Sequence, residues 1–458
     1  NNMSVNKSIY EKFIIESADQ KRTADISGGV LAFTYFENIF SPHITARVVV
    51  TNTGGSIKGK DGVLQSIYNG LPLRGGERVI IKIAGNSKVN KGLDFSKESD
   101  NYFHVASITN VLIDEGTETF TLNLVSREAI TNETVRVGKK FPTSQKISDS
   151  VRDILKEYLK SEDKIGTIDE TQNPYGFIGN MKKPFTIITW LASKSVSGKS
   201  DSNKEDSSAG FVFYETQNGF NFRSLDELME QKPYGKDFTY SPGVIKSDDP
   251  KKDFKILQYG IDRNQDLIAK LERGAYSSQR YYINPLTFET EITHFKSSDY
   301  TTNNLGSDEI GLPTLSEDSQ VSLADAPTRI FTAMLDVGTL EKETSKKGGK
   351  ERIKTNADPS KIDAQTMLRY NSLTTQVVEM TIPLNTELSA GSIIDCEFPT
   401  IDIATRHSPD QETSGHYIIK EMSHLFTNEG SHTKLKLVRD THGKKKKWLK
   451  IIYLKLIF

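Results

Sequence analysis

The sequence predicts a mainly β protein with helices, in which two antiparallel β-domains of similar size bracket a less regular middle. Three observations carry this reading. Apolar residues alternate with polar ones in the first 130 residues, β-patterning returns from about Asp253 onward, and a helical period separates the two blocks.

In the first block Ile44, Ala46, Val48 and Val50 alternate with Thr45, Arg47, Val49 and Thr51, and Phe120, Leu122 and Leu124 alternate with Thr119, Thr121 and Asn123. Val79, Ile81 and Ile83 repeat the pattern, as does the stretch from Tyr102 to Ile108. A period of two is that of half-buried strands, and Gly54-Gly55, Gly75-Gly76 and Glu115-Gly116 supply the breaks between them. This block reads as a barrel or a sandwich.

Ile147, Val151, Ile154, Leu155 and Tyr158 then share one helical face, with Thr143 or Ser144 as the expected cap. Phe185 to Ala192 reads as a second helix, Ser193 to Ala209 as a Ser-rich loop, and Phe211 to Tyr214 with Gly219 to Phe222 as a hairpin. β-patterning resumes at Phe254, Ile256 and Tyr259, followed by a short helix at Leu267 to Leu271. The polar stretches Ser297 to Asp325 and Glu341 to Ser360 read as loops. Val378, Met380 and Ile382, then Ile394, Cys396 and Phe398, then a hairpin of His416–Phe426 and His432–Arg439 close the second β-block.

Composition narrows the function. The 458 residues carry 59 Lys+Arg against 60 Asp+Glu, a net charge of −1 that argues against a dedicated nucleic-acid binder. A single cysteine, Cys396, excludes an intrachain disulfide and any cysteine-rich metal site. Asn1 to Gln20 lacks the apolar run of a signal peptide, because Lys7, Glu11, Lys12 and Glu16 interrupt it. The last segment, Lys444 to Lys447 followed by Trp448 to Phe458, is too short and too charged to cross a bilayer alone. It reads as a docking or membrane-surface segment, or as a poorly ordered tail.

No motif carries chemistry. Gly54 to Asp61 comes within one residue of a phosphate-binding loop but ends in Asp61, an anion where the magnesium-binding hydroxyl should stand, so it reads as a Gly/Lys turn. Ser193 to Ser200 has the Gly-Lys-Ser but not the first glycine. His416, His424 and His432 recur every eight residues; along one strand the first two lie about 26 Å apart, so the three cannot share a metal, and they read as polar hairpin histidines. The pairs Asp114-Glu115 and Asp226-Glu227 read as solvated carboxylates, and HExxH, GxSxG, CxxC and GxGxxG are missing. No catalytic, cofactor or metal residue is therefore assigned, and no enzyme activity or cofactor is expected; a glycosidase with two dispersed acids is the alternative that needs no local motif.

Phe33-Thr34-Tyr35-Phe36-Glu37-Asn38-Ile39, Ser41-Pro42, Asp61-Gly62 and Gly70-Leu71-Pro72-Leu73-Arg74-Gly75-Gly76-Glu77 resemble the N-terminal tube domain of phage baseplate hub proteins of the T-even type. Leu124 to Ala129 and Lys146 to Val151 continue the likeness, and Gly415 to His424 with Leu435 to Asp440 is similar to that family's closing hairpin. The resemblance covers most of residues 30–160 and 365–440, while the middle is similar in layout only, and Lys444 to Phe458 has no counterpart.

What the resemblance implies is mainly β with α: two similar antiparallel, tail-tube-like β-barrel domains plus mixed α/β middle and inserted regions. The expected divisions are a first tube-like barrel at 20–135, a mixed α/β domain with the Ser-rich loop at 136–248, and a second, split barrel at 249–285 and 370–442. An inserted irregular region at 286–369 and a basic-apolar tail at 443–458 complete them. The implied role is structural. A homotrimeric ring would adapt the hexameric tail tube to the trimeric central spike, and DNA would pass through its lumen without specific binding. Implied partners are the chain itself, the tail tube protein, the central spike protein, the tape measure protein and baseplate wedge components. The implied location is the virion, in the tail baseplate, after assembly in the host bacterial cytoplasm. A tailocin or secretion-system spike hub has the same architecture and is the alternative.

Overall fold

The structure is a computed structural model that describes residues 4–96, 101–198, 209–241, 243, 245–246, 248–285, 288–299, 304–307, 326–336, 359–400 and 408–444. Its strands and helices divide between one large sheet, a middle unit and a small peripheral sheet.

The N-terminal strands are β1 (Tyr10–Glu16), β2 (Thr23–Asp25), β3 (Val30–Asn38), β4 (Thr45–Thr53), β5 (Ile57–Lys58), β6 (Leu64–Gln65), β7 (Arg78–Ala84), β8 (Gly92–Phe95), β9 (Phe103–Asp114) and β10 (Thr117–Ser126), with the short helix α1 (Ile67–Gly70). The expected alternation is present: Ala46, Val48 and Val50 of β4 and Phe120, Leu122 and Leu124 of β10 are buried. β1 lies before residue 20 and pairs with β7, because Phe13 and Ile15 alternate into the same core. β5 and β6 form an exposed two-stranded hairpin, so the Gly/Lys-rich stretch is a turn.

The middle contains α2 (Arg127–Thr134), β11 (Lys140–Phe141), α3 (Ile147–Glu157), β12 (Ile165–Ile168), β13 (Phe177–Ile178), α4 (Pro184–Ala192), β14 (Phe211–Thr216), β15 (Gly219–Ser224) and α5 (Leu225–Met229). Val151, Ile154 and Leu155 of α3 meet Ile188 and Leu191 of α4 and the aromatic rings of Phe211, Phe213, Phe220 and Phe222 in one core. Neither Thr143 nor Ser144 caps α3. Lys146 occupies that position, because its bridge to Pro174 and the bond from the Tyr175 N–H to the Gln145 carbonyl hold the preceding residues extended. Of the Ser-rich loop, residues 199–208 lie outside the described residues; its ends meet in a bridge between Val196 and Ala209.

The C-terminal part holds β16 (Phe238–Tyr240), β17 (Lys255–Ile256), β18 (Gln258–Arg263), α6 (Leu267–Glu272), β19 (Ser277–Ile283), β20 (Thr290–Lys296), β21 (Arg329–Met334), α7 (Pro359–Leu373), β22 (Gln376–Pro383), β23 (Ile393–Glu397), β24 (Gly415–Thr427) and β25 (Ser431–Arg439). The region 286–369, expected to be irregular, carries β20 and β21, which flank β19 in a three-stranded sheet, and the start of α7. The signal was weak because both strands are largely exposed and lack a buried alternation. Residues 308–325 and 337–358, most of the two polar stretches, lie outside the described residues, as does the tail from residue 445.

The two β-blocks are not separate. A single 15-stranded sheet contains both, and the join is an antiparallel ladder between β24 and β3 running from Glu421↔Asn38 to Thr427↔Ala32. One hydrophobic cluster continues across that join, where Phe33 stacks on Phe426 at 5.8 Å and Tyr35 on His424 at 6.0 Å between ring centroids.

Candidate functional site

Eight strands of the large sheet form one uninterrupted antiparallel run, β18-β22-β25-β24-β3-β4-β10-β9. The run is a tandem repeat. Taken in chain order, the quartet β18, β22, β24, β25 and the quartet β3, β4, β9, β10 are each laid out first-second-fourth-third, and they join head to tail. A fifth strand repeats as well: β23 pairs with the beginning of β24, and β7 with the beginning of β9.

Because side chains alternate across a strand, the residues opposite the buried set form a second face. Its members include Gln258 and Gly260 of β18, Glu379 and Thr381 of β22, Lys434 and Lys436 of β25, Glu421, Ser423 and Leu425 of β24, and Thr34, Phe36 and Asn38 of β3. Arg47, Val49 and Thr51 of β4, Thr119 and Asn123 of β10, and Ser107 and Thr109 of β9 continue it. Between β18 and β3 the face is dished into a trough of about 830 Å3, lined among others by Phe36, Thr45, Gly260, Thr381, Ser423 and Lys434.

Its chemistry is hydroxyl, amide and balanced charge. Asp262, Glu379 and Glu421 stand against Arg47, Lys434 and Lys436. Lys436 reaches Glu379 at 3.0 Å and Asp262 at 3.6 Å, and the hydrogen bond to Glu379 holds its ammonium above the usual lysine range. Asn123 donates to Ser107 Oγ at 3.0 Å, and Thr119 to Thr51 Oγ1 at 3.3 Å, across neighbouring strands. Lys436 is thus paired within the sheet, and the face carries cations and anions in equal number.

Beneath the face, two buried carboxylates tie the lobes to the middle unit. Glu37 accepts from Tyr35 Oη at 2.7 Å, from the Gln217 N–H at 2.9 Å and from the Ala390 N–H at 2.7 Å. Burial pushes its carboxyl up to about 7. Glu215 of β14 accepts from the Ile44 N–H at 3.0 Å and Ser126 Oγ at 2.7 Å, and burial, with the nearby Glu128 charge, pushes it up to about 8. Glu128 itself is held low by Lys164 and Arg127, which outweigh its burial.

The remaining sequence motifs are dispersed over the fold. His424 is not a polar hairpin histidine: it is wholly buried, with Nδ1 2.9 Å from Thr433 Oγ1, and burial lowers it to about 3, so the ring is neutral. His424 faces Thr433 across the hairpin whereas His432 faces Leu425, which puts the two histidines on opposite faces of the sheet. His416 stands 3.7 Å from Asp395. Among the described residues no group of three His, Cys, Asp or Glu could hold a metal ion, and Cys396 is free and buried. Asp114-Glu115 lies at the exposed β9–β10 turn, and Asp226, in the first turn of α5, is bound to Arg369 of α7.

No family model and no curated protein matches the chain. Solved structures do. The tail protein from Neisseria meningitidis MC58 aligns with a TM-score of 0.50 at 9% identity, covering 94% of this chain and 96% of that one. The 43 kDa tail protein of prophage MuSo2 from Shewanella oneidensis aligns with a TM-score of 0.48 at 10% identity, covering 94% and 98%. A chain of the half-lidded Francisella PdpA–VgrG complex aligns at 0.45 and 12% identity, covering 96% of this chain and 60% of that one. The architecture is thus shared with the Neisseria tail protein along nearly the whole of both chains.

Proposed function

We propose that this chain is the structural hub of a phage contractile-tail baseplate, a homotrimeric ring that adapts a hexameric tail tube to a trimeric central spike and walls part of the DNA channel. The observation that carries the reading is the tandem first-second-fourth-third repeat. One chain presents the same strand arrangement twice, so three chains present it six times, which is how a threefold ring meets a sixfold tube. The fold shared with a protein described as a tail protein points the same way.

The dished, charge-balanced face suits a channel wall. Three copies of eight strands, at about 4.8 Å per strand, give a backbone circumference of about 115 Å and a diameter of about 37 Å, leaving a hole of about 25 Å inside the side chains. Phosphates are held by uncompensated Lys and Arg. A wall whose Lys436 is paired with Glu379 and Asp262, and whose other cations are balanced in number by acids, lets a duplex slide. The chain does this work as a wall and an adaptor, with no catalytic step and no cofactor. Its partners are further copies of itself, tube, spike and tape measure proteins, and wedge components, and its place is the virion tail.

Light scattering and negative-stain microscopy of the purified chain test the reading. The expected result is a three-copy ring with a central hole. A monomer at about 100 µM, with no ring when tube or spike protein is added, overturns it.

A further inference from the structure

Among the described residues the run of eight strands ends in two free edges. Among the described residues β18 pairs only with β22, and β9 pairs with β10 and, through Phe103 and His104 alone, with β7, so the edge of β9 from Thr109 to Asp114 has no neighbour. The β9 edge is apolar, and the mixed β18 edge, Gln258 to Arg263, presents Tyr259 and Ile261. Val111 is 37%, Leu112 68%, Ile113 75% and Ile261 45% exposed. Long unpaired strands of this kind template pairing with another chain.

The repeat says which chain and in which register. Asp114 faces Thr117 around Glu115-Gly116, and Thr427, whose N–H donates to the Gly430 carbonyl at 3.0 Å just beyond the last ladder pair Phe426↔Ser431, faces Gly430 around Asn428-Glu429, so Asp114 corresponds to Thr427 and Leu112 to Leu425. On the other side of each hairpin Leu112 faces Thr119 and Thr119 faces Thr51, as Leu425 faces His432 and His432 faces Pro383. Two residues along those strands, Val49 faces Ala32 and Thr381 faces Gln258, so Gln258 of β18 corresponds to Ala32 of β3. Inside the chain, β24 meets β3 with Thr427 opposite Ala32, Phe426 opposite Phe33, Leu425 opposite Thr34 and His424 opposite Tyr35.

We propose that β9 of one copy pairs antiparallel with β18 of a second copy of this chain in that same register, placing Asp114 opposite Gln258, Ile113 opposite Tyr259, Leu112 opposite Gly260 and Val111 opposite Ile261. The inference rests on the ring reading above and specifies its subunit junction. Strand directions agree, since β9 runs like β24 and β18 like β3, seven antiparallel steps apart. The chemistry agrees too. Ile113–Tyr259 and Val111–Ile261 occupy the places where, at the internal join, Phe426 stacks on Phe33 and His424 on Tyr35. Each is an apolar pair on the core side, and pairing would remove the exposed residues from water. Gly260 has open space where a Cβ would stand, which leaves room for Leu112 opposite it. The contact is heterologous, with different surfaces meeting, and repeated through a closed rotation it makes a ring without a remaining edge.

Cysteine cross-linking of the full chain tests the register. Directly opposed residues of antiparallel strands have Cα atoms about 4.5–5.5 Å apart, within the span a disulfide accepts. A Leu112→Cys, Gly260→Cys double variant, mildly oxidised, is expected to give covalent two- and three-chain species. Each single variant, and the out-of-register Leu112→Cys, Ile261→Cys variant, is expected to stay uncoupled. Ile113→Lys should lower the trimeric fraction at least about tenfold and leave the monomer's unfolding transition in place. A trimer by light scattering that fails to cross-link in this register, or that tolerates Ile113→Lys, overturns the junction and leaves the hub reading standing. A chain that stays monomeric overturns both.

Discussion

The carboxylate of Glu37 accepts a hydrogen bond from the backbone N–H of Ala390 at 2.7 Å, across 353 residues of sequence. The same side chain accepts from Gln217 of the middle unit and from Tyr35 beside it, so three parts of the chain converge on one buried carboxyl. Truncating it leaves three donors, two of them buried, without an acceptor. Glu37→Ala is therefore expected to cost about 3–5 kcal/mol, read as a lowered midpoint in chemical denaturation. A loss under about 1 kcal/mol would show that this junction contributes little.

Glu215 sets a pH dependence. Its folded value near 8 lies above its ordinary 4.5, because burial and the Glu128 charge disfavour the anion. Its contribution to stability is full below pH 4.5 and is lost as pH rises through 8, since only the unfolded chain ionises freely in that window. Glu37, raised to about 7, acts in the same direction. The melting temperature should therefore fall from pH 5 toward pH 9 by more in the wild type than in Glu215→Gln. The glutamine carbonyl can keep the bonds from Ile44 and Ser126. The displacement of Glu215 corresponds to about 4–5 kcal/mol, enough to see in a calorimetric pH series, and parallel curves for the two proteins would refute it.

Phe33 and Phe426 stack where the two β-lobes meet, and the surrounding core runs through both. The lobes are expected to unfold together, in one calorimetric transition. Phe426→Ala should remove about 3–5 kcal/mol and, by thinning the shared core, separate that transition into two. Two independent transitions already present in the wild type would contradict the shared core.

Charge balance on the dished face predicts indifference to DNA. Thr34→Arg, Thr119→Arg and Thr381→Arg on one chain should create binding to duplex DNA at low salt that weakens steeply as salt rises, whereas the wild type should show none by fluorescence anisotropy. Salt-dependent binding by the wild type would remove the sliding-wall reading.

Much of the strand inventory was legible in the sequence. Val48 and Val50, or Leu122 and Leu124, alternate because one side of each strand is in the core and the other is not, and that difference is written locally. β20 and β21 escaped because exposure on both faces erases the alternation. The buried state of His424 escaped for a different reason: a histidine on a strand looks polar until the ring opposite it, Tyr35, is known. The candidate channel face was not legible. It consists of ordinary Thr, Ser, Asn and balanced charges with a few apolar residues such as Phe36, Val49 and Leu425, and nothing in their spacing marks them.

By itself, then, the sequence determined the β-blocks, the helices between them, the near-zero charge and the single cysteine, all properties that neighbouring residues carry among themselves. Only the tertiary structure decided that β24 lies against β3, that the two blocks are one sheet in tandem, and that Glu37 closes on Ala390. Strand pairing is made by backbone N–H and C=O groups that every residue has, so side-chain patterns specify which face is buried and leave the choice of distant partner to the packing of the whole chain.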